Sequence, residues 1–181
     1  MRRILKLVPL VLLLLVSNAP AQDFRIPKAP SVQVAPVSPV TVAPGKSARV
    51  RFHFRVEPGF HINSNQPHDD LLTPTALKFD VPTDIVVGKV KYPPGRDESF
   101  AFLPGQKLSV YQGDFAVTAL LTTARTVAPG TYRVRGGLKY QACDNRQCYP
   151  PKQVPVEFDV KVQRPKRVVR RGNPGQSPHV R

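Results

Sequence analysis

Apolar and polar side chains alternate with a period of two along much of this chain, and this pattern restricts it to strands. In residues 49–57 the apolar residues are separated by basic residues, a histidine and a glutamate; the apolar set is Val50, Phe52, Phe54 and Val56. Residues 115–121, 132–140 and 154–162 repeat the pattern. Because successive side chains of a strand point to opposite faces, each segment predicts a strand with one buried and one solvated face.

Weaker patterns predict further strands at about 76–81, 85–92 and 108–113. Pro-Gly pairs, which are typical of turns, separate the strands at 44–45, 58–59, 94–95, 104–105 and 129–130. The chain has 21 prolines, which disfavour helices, and no segment shows a convincing helical repeat. Seven or more short strands with regular turns predict an all-β fold, an immunoglobulin-like antiparallel β-sandwich.

The first 21 residues have the three parts of a secretory signal peptide. A basic start (residues 2–6) precedes an apolar run (residues 7–16), and small residues, Ala19 and Ala21, follow it. The apolar run is about ten residues long, whereas a membrane span needs ~20. We therefore expect cleavage after Ala21 and a mature protein that is periplasmic or secreted, in a compartment where disulfides form.

Composition divides the rest of the chain into three parts. Residues 22–45 are rich in proline and valine and predict an extended arm with one edge strand, and residues 46–163 predict the folded domain. Residues 164–181 are basic, with few apolar side chains, and predict a disordered tail. Much of the net charge of +15 lies in the signal peptide and this tail, so the charge does not indicate nucleic-acid binding. The tail is expected either to contact an anionic surface weakly or to act as a solubilising end.

The only two cysteines, Cys143 and Cys148, stand between the predicted strands 132–142 and 154–162. The four residues between them suit a hairpin connection, which would place the thiols opposite each other at its mouth. By the chain-entropy relation, a disulfide that closes so short a loop adds only about 2 kcal/mol to the free energy of unfolding, so it would stabilise the fold weakly. A tight, exposed bridge of this kind is apt to be reducible.

Charges around the pair mostly favour a thiolate. Arg146, Lys139 and Lys152 are basic neighbours, and Asp144 opposes them. From these residues alone, a working redox pair and an inert disulfide that closes a hairpin both stay open.

Three motifs resemble the N-terminal periplasmic domain of the thiol:disulfide interchange protein DsbD. They are Tyr-Gln-x-Cys and Cys-Tyr-Pro-Pro within 140–151, the stretch from Gly59 to Pro67 with Leu-Thr-Pro-Thr at 72–75, and Leu-Ser-Val-Tyr-Gln-Gly at 108–113. The resemblance covers about residues 31–162. It implies an immunoglobulin-like domain in which Cys143 and Cys148 are the redox pair.

The resemblance also implies a mechanism and partners. The activity would be that of a thiol:disulfide oxidoreductase, an electron relay that works by thiol–disulfide exchange without a cofactor and is linked to cytochrome c biogenesis. The implied donor is a thioredoxin-like protein or a membrane electron carrier, and the implied acceptors are periplasmic disulfide proteins. The sequence has neither the membrane domain nor the thioredoxin-like domain of full-length DsbD, so we expect a separate donor. The family pattern favours Cys148 as the cysteine that bonds partners, although the spacer here is shorter than in the best-known members.

Four residues flank the pair and are candidates for a docking surface: Tyr140, Gln141, Tyr149 and Pro150. Strand packing is the alternative role for the tyrosines and Gln141, above all for Tyr140.

Members of the family carry a loop that caps the cysteines with an aromatic ring. The resemblance implies residues 96–102 here, which we call the cap loop, with either Phe100 or Phe102 as the cap. Such a ring would shield a reduced dithiol from oxidants until a partner moves the loop. The alternative is that both phenylalanines belong to the core.

No metal site or cofactor is indicated. His61 and His68, with Asp69 and Asp70, are interpreted as a solvated polar loop, because two cysteines and two distant histidines do not make a zinc signature. The alternative function is a non-catalytic immunoglobulin-like binding module with a structural hairpin disulfide. The two functions differ in whether the disulfide is readily reversible.

Overall fold

The computed structural model describes residues 31–165, and this part of the chain contains strands and turns but no helix. The strands are β1 (Val32–Val34), β2 (Val40–Val42), β3 (Ser47–Val56), β4 (His61–Asn63), β5 (Ala76–Asp80), β6 (Ile85–Lys91), β7 (Arg96–Ser99), β8 (Lys107–Tyr111), β9 (Asp114–Thr123), β10 (Gly130–Tyr140), β11 (Ala142–Cys143) and β12 (Lys152–Val162). Within residues 31–165 there is accordingly no helix suited to crossing a membrane. The predicted signal peptide and nearly all of the predicted tail lie outside the described residues.

Two four-stranded sheets form the body of the molecule. One has the order β1-β3-β9-β6 and the other the order β2-β12-β10-β5. Neighbouring strands are antiparallel, except that β2 runs parallel to β12. This arrangement confirms the predicted all-β, immunoglobulin-like sandwich.

The core lies between these sheets and is built from the apolar positions of the period-two pattern. Val50, Phe52, Phe54 and Val56 of β3 are at most 3% exposed, and Val156 and Phe158 of β12 are buried as well. The ring of Phe52 lies 5.5 Å from the ring of Phe158 and 5.2 Å from that of Phe79, so aromatic contacts join the two sheets. Each fully buried side chain of this size contributes about 1.5–3 kcal/mol.

Pro-Gly turns connect several strands as the sequence predicts. Gly45, Gly59 and Gly105 have φ angles of 69°, 83° and 83°, which glycine adopts without strain. At Gly45 space adds a second constraint, since a Cβ atom there would lie 2.7 Å from Cγ of Arg125.

The segment predicted as an extended arm with one edge strand contains two strands where the structure describes it. β1 pairs with β3 and β2 pairs with β12, so the segment supplies one edge strand to each main sheet. Val32 and Val42 are 3% and 5% exposed. The folded part of the chain therefore includes Val32.

A third, smaller sheet has the order β11-β4-β8-β7. β10 leads into it, because β11 begins two residues after β10 ends, and β7 leads into Phe100. The pairing of β11 with β4 sets Cys143 opposite His61. This sheet therefore gathers the cysteine motif, the motif at 59–67 and the cap loop.

Candidate functional site

Cys143 and Cys148 form a disulfide at the mouth of the hairpin between β11 and β12. They face each other as an antiparallel bridge, with their Cα atoms 3.9 Å apart. Backbone hydrogen bonds flank the pair: the amide of Tyr149 donates to the carbonyl of Ala142 at 2.8 Å, and the amide of Asp144 donates to the carbonyl of Gln147 at 2.9 Å. The cysteines thus occupy a non-hydrogen-bonded pair, where side chains of neighbouring strands come closest. The sulfurs meet across the hairpin as the sequence predicts.

The two cysteines differ in exposure. Cys143 is completely buried, whereas Cys148 is half-buried. A partner thiolate approaching from solvent therefore has better access to Cys148.

The carboxylate of Asp144 organises the loop between the cysteines. Its Oδ1 accepts hydrogen bonds from the amides of Arg146 and Gln147 at 2.7 and 2.8 Å, and its Oδ2 accepts one from the hydroxyl of Tyr149 at 2.9 Å. The hydrogen bond from the Arg146 amide, followed by that from the Gln147 amide, lowers the pKa of Asp144. The sequence indicated only that this charge opposes a thiolate, and the structure shows that it also fixes the loop.

His61 is a functional candidate that the sequence analysis assigned wrongly. The sequence predicts a solvated loop that contains both His61 and His68, but His61 begins strand β4 and is 1% exposed. Its Nε2 atom is buried and has no hydrogen-bond partner among the described residues. Burial lowers the pKa of His61 to about 4, although the charge of Asp144 acts in the opposite direction. One feature of the sequence does indicate that His61 is buried: it stands between two large apolar residues, Phe60 and Ile62, which is unusual for a solvated loop.

Phe100 covers the imidazole of His61. The two ring centroids are 3.8 Å apart and their planes differ by 16°. The ring of Phe102 lies farther away, 6.5 Å from His61 and 5.7 Å from Phe100. Both phenylalanines are half-buried and neither belongs to the hydrophobic core of the sandwich, so the core alternative does not describe them.

The cap loop is held at both ends. β7 pairs with β8 from Arg96 to Ser99, and the side chain of Asp97 is 2.8 Å from Nε2 of His68. Beyond β7, the amide of Leu103 donates to the carbonyl of Phe100 at 3.1 Å and closes a turn. These contacts fix the position from which Phe100 reaches His61.

The four flanking residues have different environments. Tyr140 is 3% exposed and its hydroxyl accepts a hydrogen bond from the amide of Val32, so it packs in the core and does not present a docking surface. Gln141 is half-buried, and its side-chain oxygen accepts bonds from Asn63 and from the amide of Thr73 at 3.3 Å each.

Tyr149 and Pro150 lie nearer the surface. The half-buried ring of Tyr149 packs edge-on against Phe60 with centroids 6.0 Å apart, and Pro150 is exposed. A cleft of about 550 Å³ is lined in part by Phe60, whose ring contacts Tyr149, and by His61 and Asn145. Tyr149 and Pro150 do not line this cleft themselves. Within residues 31–165, no group of three or more His, Cys, Asp or Glu side chains is placed to hold a metal ion.

Comparison with known proteins gives one family and several solved structures. Residues 28–159 match the family model described as "Thiol:disulfide interchange protein DsbD, N-terminal". The Neisseria meningitidis DsbD N-terminal domain in the reduced form is 24% identical, with a TM-score of 0.44, over 74% of this chain and 86% of that one. The complex of the DsbD and PilB N-terminal domains from the same organism gives 22% identity and a TM-score of 0.39, over 70% of this chain and 80% of that one.

A type I cohesin from Pseudobacteroides cellulosolvens is 15% identical, with a TM-score of 0.48, over 78% of this chain and 98% of that one. No curated protein matches the chain.

Proposed function

The chain belongs to the family of DsbD N-terminal domains, and from this premise we propose that it relays electrons between exported proteins through Cys143 and Cys148. One observation supports the relay most directly: the disulfide joins a completely buried cysteine to a half-buried one across a short hairpin. Such a bridge offers one accessible sulfur to attack, and a second sulfur close enough to resolve the product.

The exchange proceeds in two displacements. A partner thiolate attacks Sγ of Cys148, a bond forms between the two sulfurs, and the electron pair of the Cys143–Cys148 bond passes to Sγ of Cys143, which takes up a proton. A second thiolate of the partner then attacks its own sulfur in the mixed disulfide and releases Cys148, which is protonated in turn. The partner leaves as a disulfide, and two electrons and two protons remain on the cysteines. The same steps in reverse reduce an acceptor.

Phe100 is the cap in this proposal. It stacks on His61, the residue directly opposite Cys143, whereas Phe102 lies behind it. A ring in this position limits the approach of small oxidants to the reduced cysteines, and a docking partner displaces it. Tyr149, Pro150 and the adjacent cleft would form the docking surface.

The partners follow from the family. The donor would be a thioredoxin-like protein or a membrane electron carrier, and the acceptors would be periplasmic disulfide proteins. This requires export, and cleavage after Ala21 would provide it. Mass spectrometry of the protein recovered from a periplasmic fraction tests that step: a mature chain that begins at Gln22 is expected, and an uncleaved chain found only in the cytoplasm would contradict it.

The redox equilibrium of the purified mature protein tests the function itself. The protein is equilibrated with glutathione or thioredoxin buffers, and its free thiols are alkylated and counted by mass. A reduction potential between about −270 and −120 mV, the range of exchange proteins, is expected. A potential below about −300 mV, or a bridge that reductants do not open in the folded protein, would make the disulfide structural and favour the binding module.

A further inference from the structure

His61 has three properties that the exchange steps above do not use. It is 1% exposed, it lies opposite Cys143 on the neighbouring strand, and its Nε2 has no hydrogen-bond partner among residues 31–165. A buried polar atom without a partner destabilises the fold. A phenylalanine would stack equally well on Phe100 without this cost, so packing alone does not explain a histidine here.

The register of the strands places His61 beside the disulfide. Residues directly opposite each other in an antiparallel pair share one face of the sheet, with Cβ atoms about 4.5–5.5 Å apart. Cys143 is opposite His61 on one side and opposite Cys148 on the other. The three side chains therefore form a row, with buried His61 at one end and half-buried Cys148 at the other.

Cys143 needs a base when it resolves a mixed disulfide. Only a thiolate attacks a disulfide, and complete burial disfavours the charged form of a side chain. While Cys148 is bonded to a partner, Cys143 must pass its proton to a group within reach. In the row described above, that group is the imidazole.

We propose that His61 takes the proton of the Cys143 thiol in this resolving step, an inference that rests on the proposed function. The Cys143 thiolate attacks Sγ of Cys148 and the intramolecular disulfide forms. The bond between Cys148 and the partner breaks with its electron pair on the partner sulfur, which then takes the proton from the imidazolium. In the opposite direction, the same groups return a proton to Cys143.

The electrostatics around His61 act in two directions. With a pKa of about 4, its imidazole is neutral at physiological pH and has a free lone pair, but the same burial makes it a weaker base than an exposed histidine. Asp144 faces it from the hairpin loop and favours the imidazolium, as would a thiolate at Cys143. The other charged groups nearby, Arg55 and Glu57, line the cleft that His61 also lines.

The cap loop contributes two apolar rings next to His61. Phe100 stacks on its imidazole and the ring of Phe102 lies 6.5 Å away, whereas Tyr111 of β8 pairs with Ile62 and therefore lies on the other face of the sheet. Proton transfer between Cys143 and His61 would therefore take place next to these rings and the carboxylate of Asp144.

A two-step thiol assay tests the inference on the mature protein. The reduced protein is mixed with a symmetric aryl disulfide that releases a coloured thiolate. The first release reports attack by Cys148 and the second reports resolution by Cys143. His61→Phe keeps an aromatic ring under Phe100 and removes the base, and His53→Phe makes the same change at an exposed site on β3 as the matched control.

For His61→Phe we expect an unchanged first release and a second release slowed at least about tenfold at neutral pH, since general bases typically contribute about 10²–10⁴-fold. His53→Phe should alter neither release. Added imidazole should restore the second release of His61→Ala, which a purely structural role would not allow.

Two results would overturn the inference: a second release in His61→Phe as fast as in the unchanged protein, or an equal slowing of both releases, which would assign His61 a structural role. If the unchanged protein gave no first release, the proposed function would itself be wrong. That failure is distinct, because it appears before His61 is altered.

Discussion

Cys148 is half-buried and Cys143 is completely buried, and this difference in exposure predicts which cysteine forms the mixed disulfide with a partner. In Cys143→Ala, Cys148 remains accessible and nothing resolves its mixed disulfide. In Cys148→Ala, the remaining thiol is buried. We expect Cys143→Ala to form a mixed disulfide with oxidised glutathione at least about tenfold faster than Cys148→Ala, measured by the mass of quenched samples. Equal rates, or the reverse order, would contradict the assignment of Cys148.

His61 makes stability depend on pH. Its pKa is about 4 in the folded protein and near 6.5 when unfolded, so between these values the unfolded chain binds more protons. Stability is therefore complete above about pH 6.5 and falls as the pH drops towards 4, by at most ~1.4 kcal/mol per pH unit from this residue. Denaturant unfolding at pH 7.5 and 5 should show a smaller loss in His61→Phe than in the unchanged protein. Equal losses would mean that His61 is not neutral in the fold.

Single residues show how far the site could be predicted. The cysteines were found because their spacing and neighbours are local in the sequence. His61 was misplaced because its partners, Phe100 and Cys143, are distant along the chain and meet only through the third sheet. Tyr140 occupies an apolar position of the period-two pattern in residues 132–140, which predicts that it is buried, and in the structure it is 3% exposed.

At the scale of elements, the cap loop can be tested through its two rings. Phe100 stacks on His61 and Phe102 does not reach as close, so removing Phe100 should expose the cysteines more. We expect Phe100→Ala to raise the rate at which a small disulfide oxidises the reduced protein by about three- to tenfold, with a smaller rise for Phe102→Ala. Stopped-flow oxidation measures both. Unchanged rates in Phe100→Ala would mean that this ring does not shield the site.

The strands of the main sheets were predictable because each has one buried face. β3, β9, β10 and β12 alternate over ten or eleven residues, so the pattern alone locates them. The missed elements are short or polar: β4 has three residues, β11 has two, and β7 is Arg-Asp-Glu-Ser. These strands are defined by their hydrogen bonds to neighbouring strands. Strands this short or this polar show no alternation of apolar and polar residues by which the sequence could reveal them.

At the scale of the whole molecule, the start of the fold is tied to its end. Val32 on β1 and Val42 on β2 are buried, and β2 pairs with β12, the last strand. A chain that begins at Lys46 should lose roughly 3–6 kcal/mol of unfolding free energy relative to one that begins at Gln22, because two buried valines and two edge strands are removed. Denaturant unfolding compares the two. A chain that begins at Ser31 is the control, and equal stability of the Lys46 chain would mean that residues 31–45 are not part of the folding unit.

Backbone hydrogen bonds of the hairpin lie on both sides of the disulfide, and neither of them involves a sulfur atom. The amides of Asp144 and Tyr149 donate to backbone carbonyls and not to the sulfurs, so we expect reduction to break one covalent bond and no hydrogen bond. The oxidised and reduced proteins should then have nearly the same shape, and these two amides should show equal hydrogen-exchange protection in both states. A partner would thus meet the same hairpin backbone in each half-reaction. Release of the partner would then depend on cleavage of the mixed disulfide and not on a conformational change of the domain.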